Sequence, residues 1–145
     1  MAFNSTADVL AAMVARIEGL TPDSQAHEGD GYHAAVALRT NLTGSRTVLL
    51  SAQPAIRKLP SRTCTDWLAT VEISTYYNDV PTDPDEPTVL ARAIADAEQV
   101  LDDLYTWATQ ADGIVELDAD LGNVADDGHG EIMVTRTMRI IYTRG

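Results

Sequence analysis

From Val9 onward, the apolar residues Val9, Leu10, Met13, Val14 and Ile17 fall three or four apart, the spacing of one helical face. Ser5 stands three residues before Asp8, as in a capping box, and Gly19 ends the pattern, so a first helix is expected over about residues 5–18. Residues 21–31, TPDSQAHEGDG, are polar and rich in turn formers, and read as a loop. Two β-type runs follow, HAAVALRT and RTVLLSA. They are separated by NLTGS, whose Asn and Gly suit a tight connection, and a first hairpin is expected. The next stretch, QPAIRKLPSR, is bracketed by Pro54 and Pro60. Proline cannot donate to a ladder, so residues 53–63 are expected to be an extended arm outside the middle of a sheet.

In WLATVEISTYYN the period changes to two. Trp67, Ala69, Val71, Ile73, Thr75 and Tyr77 share one face, with Thr70, Glu72 and Ser74 on the other, which predicts a long strand with one buried face. An Asp- and Pro-rich loop, residues 78–87, leads to Glu86 and Pro87, a plausible N-cap and first helical position. Leu90, Ala93, Ile94, Ala97, Val100, Leu101, Leu104, Tyr105 and Ala108 then repeat with a period near 3.6, predicting a helix over about residues 87–110. GIVELDADL and EIMVTRTMRIIYTR read as two closing strands joined by GNVADDGHG. The order α-β-β-β-α-β-β predicts an α+β fold: a single mixed or antiparallel sheet of about five strands, with two main helices packed on one face. At 145 residues the chain suits one core and is short for two, so a single domain over 1–145 is expected.

Charge changes the picture more than composition does. The formal charge of −12 argues against a protein that wraps nucleic acid by neutralising phosphates. Its layout is uneven. Between Gly31 and Thr65 five basic residues (Arg39, Arg46, Arg57, Lys58, Arg62) meet no carboxylate, a local balance of +5. Between Asp79 and Asp127 fourteen carboxylates face Arg92 alone, a local balance of −13. The prolines of the 78–87 loop limit its conformations, so its carboxylates are presented at a lower entropic cost. A chain with one basic and one acidic segment is suited to head-to-tail contacts between copies. The candidate contact residues are Arg57, Lys58 and Arg62 in the arm and Asp79, Asp83, Asp85 and Glu86 in the loop.

Chemistry-bearing motifs are sparse. Cys64 is the only cysteine, which excludes an internal disulfide framework, a CxxC pair and a cysteine zinc knuckle. His27, Glu28 and His33 do not have HExxH spacing, and DADLGNVADDGHG has Asn123 and His129 where a calcium loop needs Gly and Glu. No nucleophile elbow, SxxK, phosphate loop or GxGxxG motif occurs in a convincing context. No catalytic, cofactor or metal site is expected. There is also no run of 18 apolar residues and no signal-peptide build, so a soluble protein made in the cytosol is expected.

The succession of a helix, two short strands, a proline-flanked arm, RTCTDWLATVEISTYYN, an Asp/Pro loop, one long amphipathic helix and a closing MVTRTMRIIYTR resembles the tail terminator family of long-tailed bacteriophages, prophages and gene transfer agents. The resemblance covers most of the chain from about Arg62 and, more loosely, the first helix; residues 32–59 match it less clearly. It implies a non-enzymatic virion protein that forms a hexameric ring on the tail tube, ends tube polymerisation and offers the surface that joins the head connector. DNA would pass through the lumen without specific binding. Two alternatives stay open. One is another connector or tail-tube component. The other is a small acidic enzyme or a DNA-mimicking inhibitor, for which Asp96, Glu98, Asp102 and Asp103 partly supply carboxylates along a helix.

Overall fold

Two thirteen-residue strands, β4 (Asp66–Asn78) and β7 (Glu131–Thr143), pair antiparallel along their whole length, from Asp66 opposite Thr143 to Asn78 opposite Glu131. They are the middle of the sheet in a computed structural model that describes residues 3–23, 31–37, 46–57, 65–78, 86–120, 122–126 and 131–145. The other described elements are α1 (Thr6–Glu18), β1 (His33–Val36), β2 (Arg46–Ala52), β3 (Ile56–Arg57), α2 (Glu86–Gln110), β5 (Ile114–Ala119) and β6 (Asn123–Asp126). The described strands join in one mixed sheet, and the fold is α+β.

The seven strands occupy five rows. β2 and β3 lie one after the other along β4, separated by Pro54, while β5 and β6 lie one after the other along β7. The expectation of about five strands is corrected: the described residues form seven, because two rows are each split in two. Two segments read as connections are corrected in part: Ile56–Arg57 of the arm and Asn123–Asp126 of GNVADDGHG pair as short edge strands. In the break between β5 and β6, Gly122 lies so close to β7 that a Cβ there would stand 2.7 Å from the Thr135 carbonyl oxygen and 3.0 Å from Arg136 Cγ. Only glycine fits that approach without a shift.

The first hairpin is also corrected. β1 pairs with β2 in parallel, with His33 opposite Thr47 and Val36 opposite Leu50. This register sets Tyr32, just before β1, level with Arg46, the first residue of β2. Both are buried and both reach Asp96 on α2. An antiparallel hairpin would carry Tyr32 to the far end of β2 and strip that polar cluster of one member. Local turn chemistry in NLTGS loses to the requirement that buried polar groups be satisfied.

Both helices pack on the face formed by Ala69, Val71, Ile73, Thr75 and Tyr77 of β4 and Ile132, Val134, Met138, Ile140 and Tyr142 of β7. The alternation predicted for β4 is therefore the core pattern, with Thr70 and Glu72 exposed on the opposite face. α1 begins where the capping signal placed it: Ser5 is extended (φ −157°, ψ 168°) and its Oγ accepts from the Asp8 amide at 3.3 Å. Asp8 completes the box one residue further back than usual, accepting from the Asn4 amide at 3.1 Å. Val9, Leu10, Met13 and Ile17 are buried beneath it. On α2, Ala93 and Ala97 face Tyr77, Ile132 and Val134, so small residues on the helix meet large ones on the sheet; Val100 and Leu104 continue into the main core.

Candidate functional site

α2 carries a polar stripe toward α1. Asp96 is followed at helical spacing by Gln99 and Asp103, and each holds a different part of the chain. Arg46 Nε donates to Asp96 Oδ2 at 2.8 Å, in an ion pair whose side chains are 0% and 1% exposed. Tyr32 Oη has one proton to give, and its nearest acceptor is Gln99 Oε1 at 2.9 Å, with Asp96 Oδ1 at 3.3 Å. Gln99 also accepts from the Asp23 amide at 3.1 Å and donates to the Thr21 carbonyl at 2.8 Å, tethering the segment that leaves α1. Asp103 takes both Nε and Nη2 of Arg16 at 2.9 Å, joining α2 to α1. Arg46 also lies 5.3 Å from the Tyr77 ring centroid.

Burial pushes the Asp96 carboxyl up to about 6, against the pull of Arg46 and of the Tyr32 hydroxyl. The same burial, with Asp96 adding to it, raises Tyr32 further above its ordinary range, so it stays a neutral donor. A folded-state pKa above the unfolded value of about 3.9 means that the folded chain holds a proton the unfolded chain has lost. This group's contribution to stability is therefore largest below about pH 4 and declines as pH rises through about 6. Urea unfolding between pH 4 and 7 is expected to show that declining component in the native chain and not in Asp96→Asn. Equal slopes in the two proteins would contradict it.

A second cluster lies at the end of the sheet where β4 starts and β7 finishes. The Arg144 guanidinium stacks on Trp67 at 3.5 Å from the ring centroid, and Arg57 approaches the same ring at 5.6 Å. Arg144 Nε and Nη2 donate to Tyr142 Oη at 3.0 and 2.8 Å, and the same oxygen shares a 2.7 Å hydrogen bond with Thr6. Phe3 meets the Tyr142 ring edge-on at 6.2 Å. The cluster therefore fixes both cations against aromatic surface at one end of the sheet.

The described strands of the two charged segments lie at opposite edges of the sheet: the basic segment supplies β1, β2 and β3 on one edge and the acidic segment β5 and β6 on the other, while α2 packs over β4, β7 and β5. On the acidic side Glu98, Asp102, Asp112, Glu116, Asp118 and Asp120 are exposed. Large apolar side chains are exposed on both sides: Val36 and Ile56 on the basic edge, Val115 and Val124 on the acidic edge, and Leu90, Ile94 and Tyr105 on α2.

Of the residues singled out from sequence, Arg57 is exposed on β3 against Trp67. Lys58, Arg62, Asp79, Asp83 and Asp85 lie outside the described residues, as does the side chain of Glu86, the first residue of α2. Sequence reasoning missed Arg46 as a buried ion-pair member, and missed Trp67 as the ring that Arg57 and Arg144 share. The pairing of Arg46 with Asp96, fifty residues away, leaves no local signal. The carboxylates considered for a DNA mimic divide: Glu98 and Asp102 are exposed, while Asp96 and Asp103 are spent on Arg46 and Arg16.

Among the described residues no group of three or more His, Cys, Asp or Glu side chains is placed to hold a metal, and no helix is long and apolar enough to cross a membrane. A void of about 10 Å³ between α2 and the sheet, lined by residues including Ile73, Ala97, Val100 and Met138, has room for one water at most. No protein-family model matches the chain, and no curated protein matches it.

Proposed function

We propose that this protein is a structural assembly factor that joins to copies of itself head to tail, and that it is a tail terminator of a long-tailed phage or related particle. In that role it forms a ring, expected to be hexameric, on the last ring of the tail tube, stops tube growth and presents the surface that meets the head connector. The observation that carries the reading is that the described strands of the basic segment, β1 to β3, and those of the acidic segment, β5 and β6, form opposite edges of one sheet. Opposite charge on two different surfaces of one chain favours a heterologous contact, and such contacts close into rings or run on as filaments. With a net charge of −12 per copy, a ring would repel DNA phosphates wherever its acid faces the lumen, as suits a passage that must not grip. The DNA-mimic alternative is weakened because Asp96 and Asp103 point into internal ion pairs.

The test is absolute mass by light scattering after size exclusion, at low and high salt, with and without tail tubes. A six-fold ring, or a monomer that becomes one on tubes, supports the reading; open-ended tubes assign the protein to the tube, and a monomer indifferent to salt and tubes ends the proposal. Replacing Arg57, Lys58 and Arg62 together by Glu is expected to weaken assembly, most visibly at low salt. Single changes are expected to have small effects, because an exposed pair is worth roughly 0–1 kcal/mol. Unchanged assembly of the triple variant would remove the arm from the interface.

A further inference from the structure

We propose that Arg144, seated on the Trp67 ring with Arg57 beside it, forms a binding site for a carboxylate. The site stands on the geometry of one chain and holds whether or not copies join head to tail.

A guanidinium has two sides on which it can grip an oxyanion with paired N–H groups, one formed by Nε and Nη2 and one by Nη1 and Nη2. In Arg144 the first side is taken, because Nε and Nη2 both donate to Tyr142 Oη at 3.0 and 2.8 Å. That oxygen is neutral and is shared with Thr6 at 2.7 Å. Trp67 covers one face of the guanidinium plane, with its ring centroid 3.5 Å away. The side formed by Nη1 and Nη2 remains, and among the described residues no carboxylate meets it. Arg144 is only partly buried, so that side can be reached from outside.

The chain has acid to spare, with 22 carboxylate side chains against 10 Lys and Arg. Arg16, Arg46 and Arg139 each hold one of them, on Asp103, Asp96 and Asp118. The strands keep it from Arg144. Trp67 and Tyr142 are register partners on the face that the helices cover, and Arg144 follows two residues later on the same side. Asp66 pairs with Thr143 on the opposite face and accepts from the Thr143 hydroxyl at 3.2 Å. On the helix side Asp8 is turned back to the Asn4 amide at 3.1 Å. What stands beside Arg144 is a second cation: β3 pairs Arg57 with Trp67, and its guanidinium lies 5.6 Å from the same ring centroid. Two like charges at one ring repel, and an anion placed beside them relieves that repulsion.

The ligand class follows from shape and charge. The ring and the Tyr142 hydroxyl fix the guanidinium plane in advance, so little side-chain freedom is left to lose on binding. Its open side is a planar fork that matches the two oxygens of a carboxylate. Duplex DNA would bring a phosphate charge about every 1.7 Å to a chain of net charge −12, whereas a carboxylate brings one charge. The carboxylate can belong to a small free acid or to an acidic segment of a partner protein.

Trp67 reports on the site directly. In the full chain carrying Trp107→Phe it is the one remaining tryptophan. At neutral pH and constant ionic strength, exchanging sodium chloride for sodium acetate is expected to change its emission saturably. Arg144→Gln is expected to raise the half-saturation concentration about tenfold. Arg144→Lys keeps a cation over the ring and loses the fork, and a comparable weakening is expected, which loss of the reporter does not explain. Circular dichroism checks that both variants fold. A hexaglutamate peptide is the second probe. Half-saturation at a clearly lower carboxylate concentration than acetate supports the site and assigns it to an acidic protein segment; half-saturation at the same or a higher one supports it as a site for a small free acid. No saturable change with either probe overturns the proposal, as does an undiminished response in folded Arg144→Gln. A short DNA duplex that saturates the signal at a lower concentration than both carboxylates overturns the ligand class.

Discussion

Replacing Asp96 by Ala is expected to cost the fold about 3–5 kcal/mol, read as a lower midpoint in urea unfolding. The substitution takes the Asp96 carboxylate from Arg46, whose side chain is 0% exposed, and removing one member of a buried ion pair is among the most damaging changes a core can suffer. Natural domains are stable by only about 5–15 kcal/mol, so the loss is a large share of the whole. It also removes an acceptor near Tyr32 and loosens the attachment of β1 and β2 to α2. Two comparisons isolate the cause. Asp103→Ala, which breaks the more exposed pair with Arg16, is expected to cost much less. Replacing Arg46 and Asp96 together by apolar residues of similar volume is expected to recover most of the loss, because the desolvation penalty disappears with the charges. Equal costs for Asp96→Ala and Asp103→Ala would refute the account.

The second large effect is expected at Tyr142. Its ring is fully buried among the main core residues, and truncating a large buried aromatic to Ala costs about 3–5 kcal/mol through lost burial and the cavity left behind. Its hydroxyl adds a separate contribution: it ties Thr6 at the start of α1 to Arg144 at the end of the chain. Tyr142→Phe keeps the ring and removes those bonds, so it is expected to cost about 1–2 kcal/mol. The Phe variant should also release Arg144 from its position over Trp67, and Trp67 fluorescence follows that change independently of global stability. An unchanged Trp67 signal in Tyr142→Phe would show that the stack holds without the hydroxyl.

These two sites have a common function in the proposed assembly. Asp96 and its partners hold the basic row of strands to the helix of the acidic side, and the Tyr142 cluster sets the Trp67 surface against which Arg57 lies. Their disruption is expected to impair the presentation of the edges through the fold. The joint replacement of Arg57, Lys58 and Arg62 is expected to alter assembly while leaving unfolding nearly unchanged.

Much of this architecture was legible along the chain. The i, i+3, i+4 spacing of α1 and its Ser5 cap, the alternation of β4 and the apolar stripe of α2 are consequences of backbone periods that depend only on neighbours a few residues away. The charge division was legible too, since it is a matter of order along the chain. The hairpin expectation at NLTGS failed because its local turn signal carried no information about Tyr32, Arg46 and Asp96, residues that meet across sequence separations of 50 and 64. The short strands β3 and β6 were hidden for a related reason. Segments of two and four residues next to Pro54 and Gly122 have no intrinsic preference strong enough to read, and they become strands because β4 and β7 present unpaired backbone groups beside them.

The sequence by itself determined the two helices, the long strands and the division into a basic and an acidic half, because short-range geometry and composition suffice for each. Only the tertiary structure decided that the described strands of those segments form opposite edges of one sheet, that Arg46 turns inward to Asp96 and that Arg57 shares Trp67 with Arg144. Those outcomes depend on which distant groups are brought together when the core closes. Burial then makes a missing partner far more costly than any local preference.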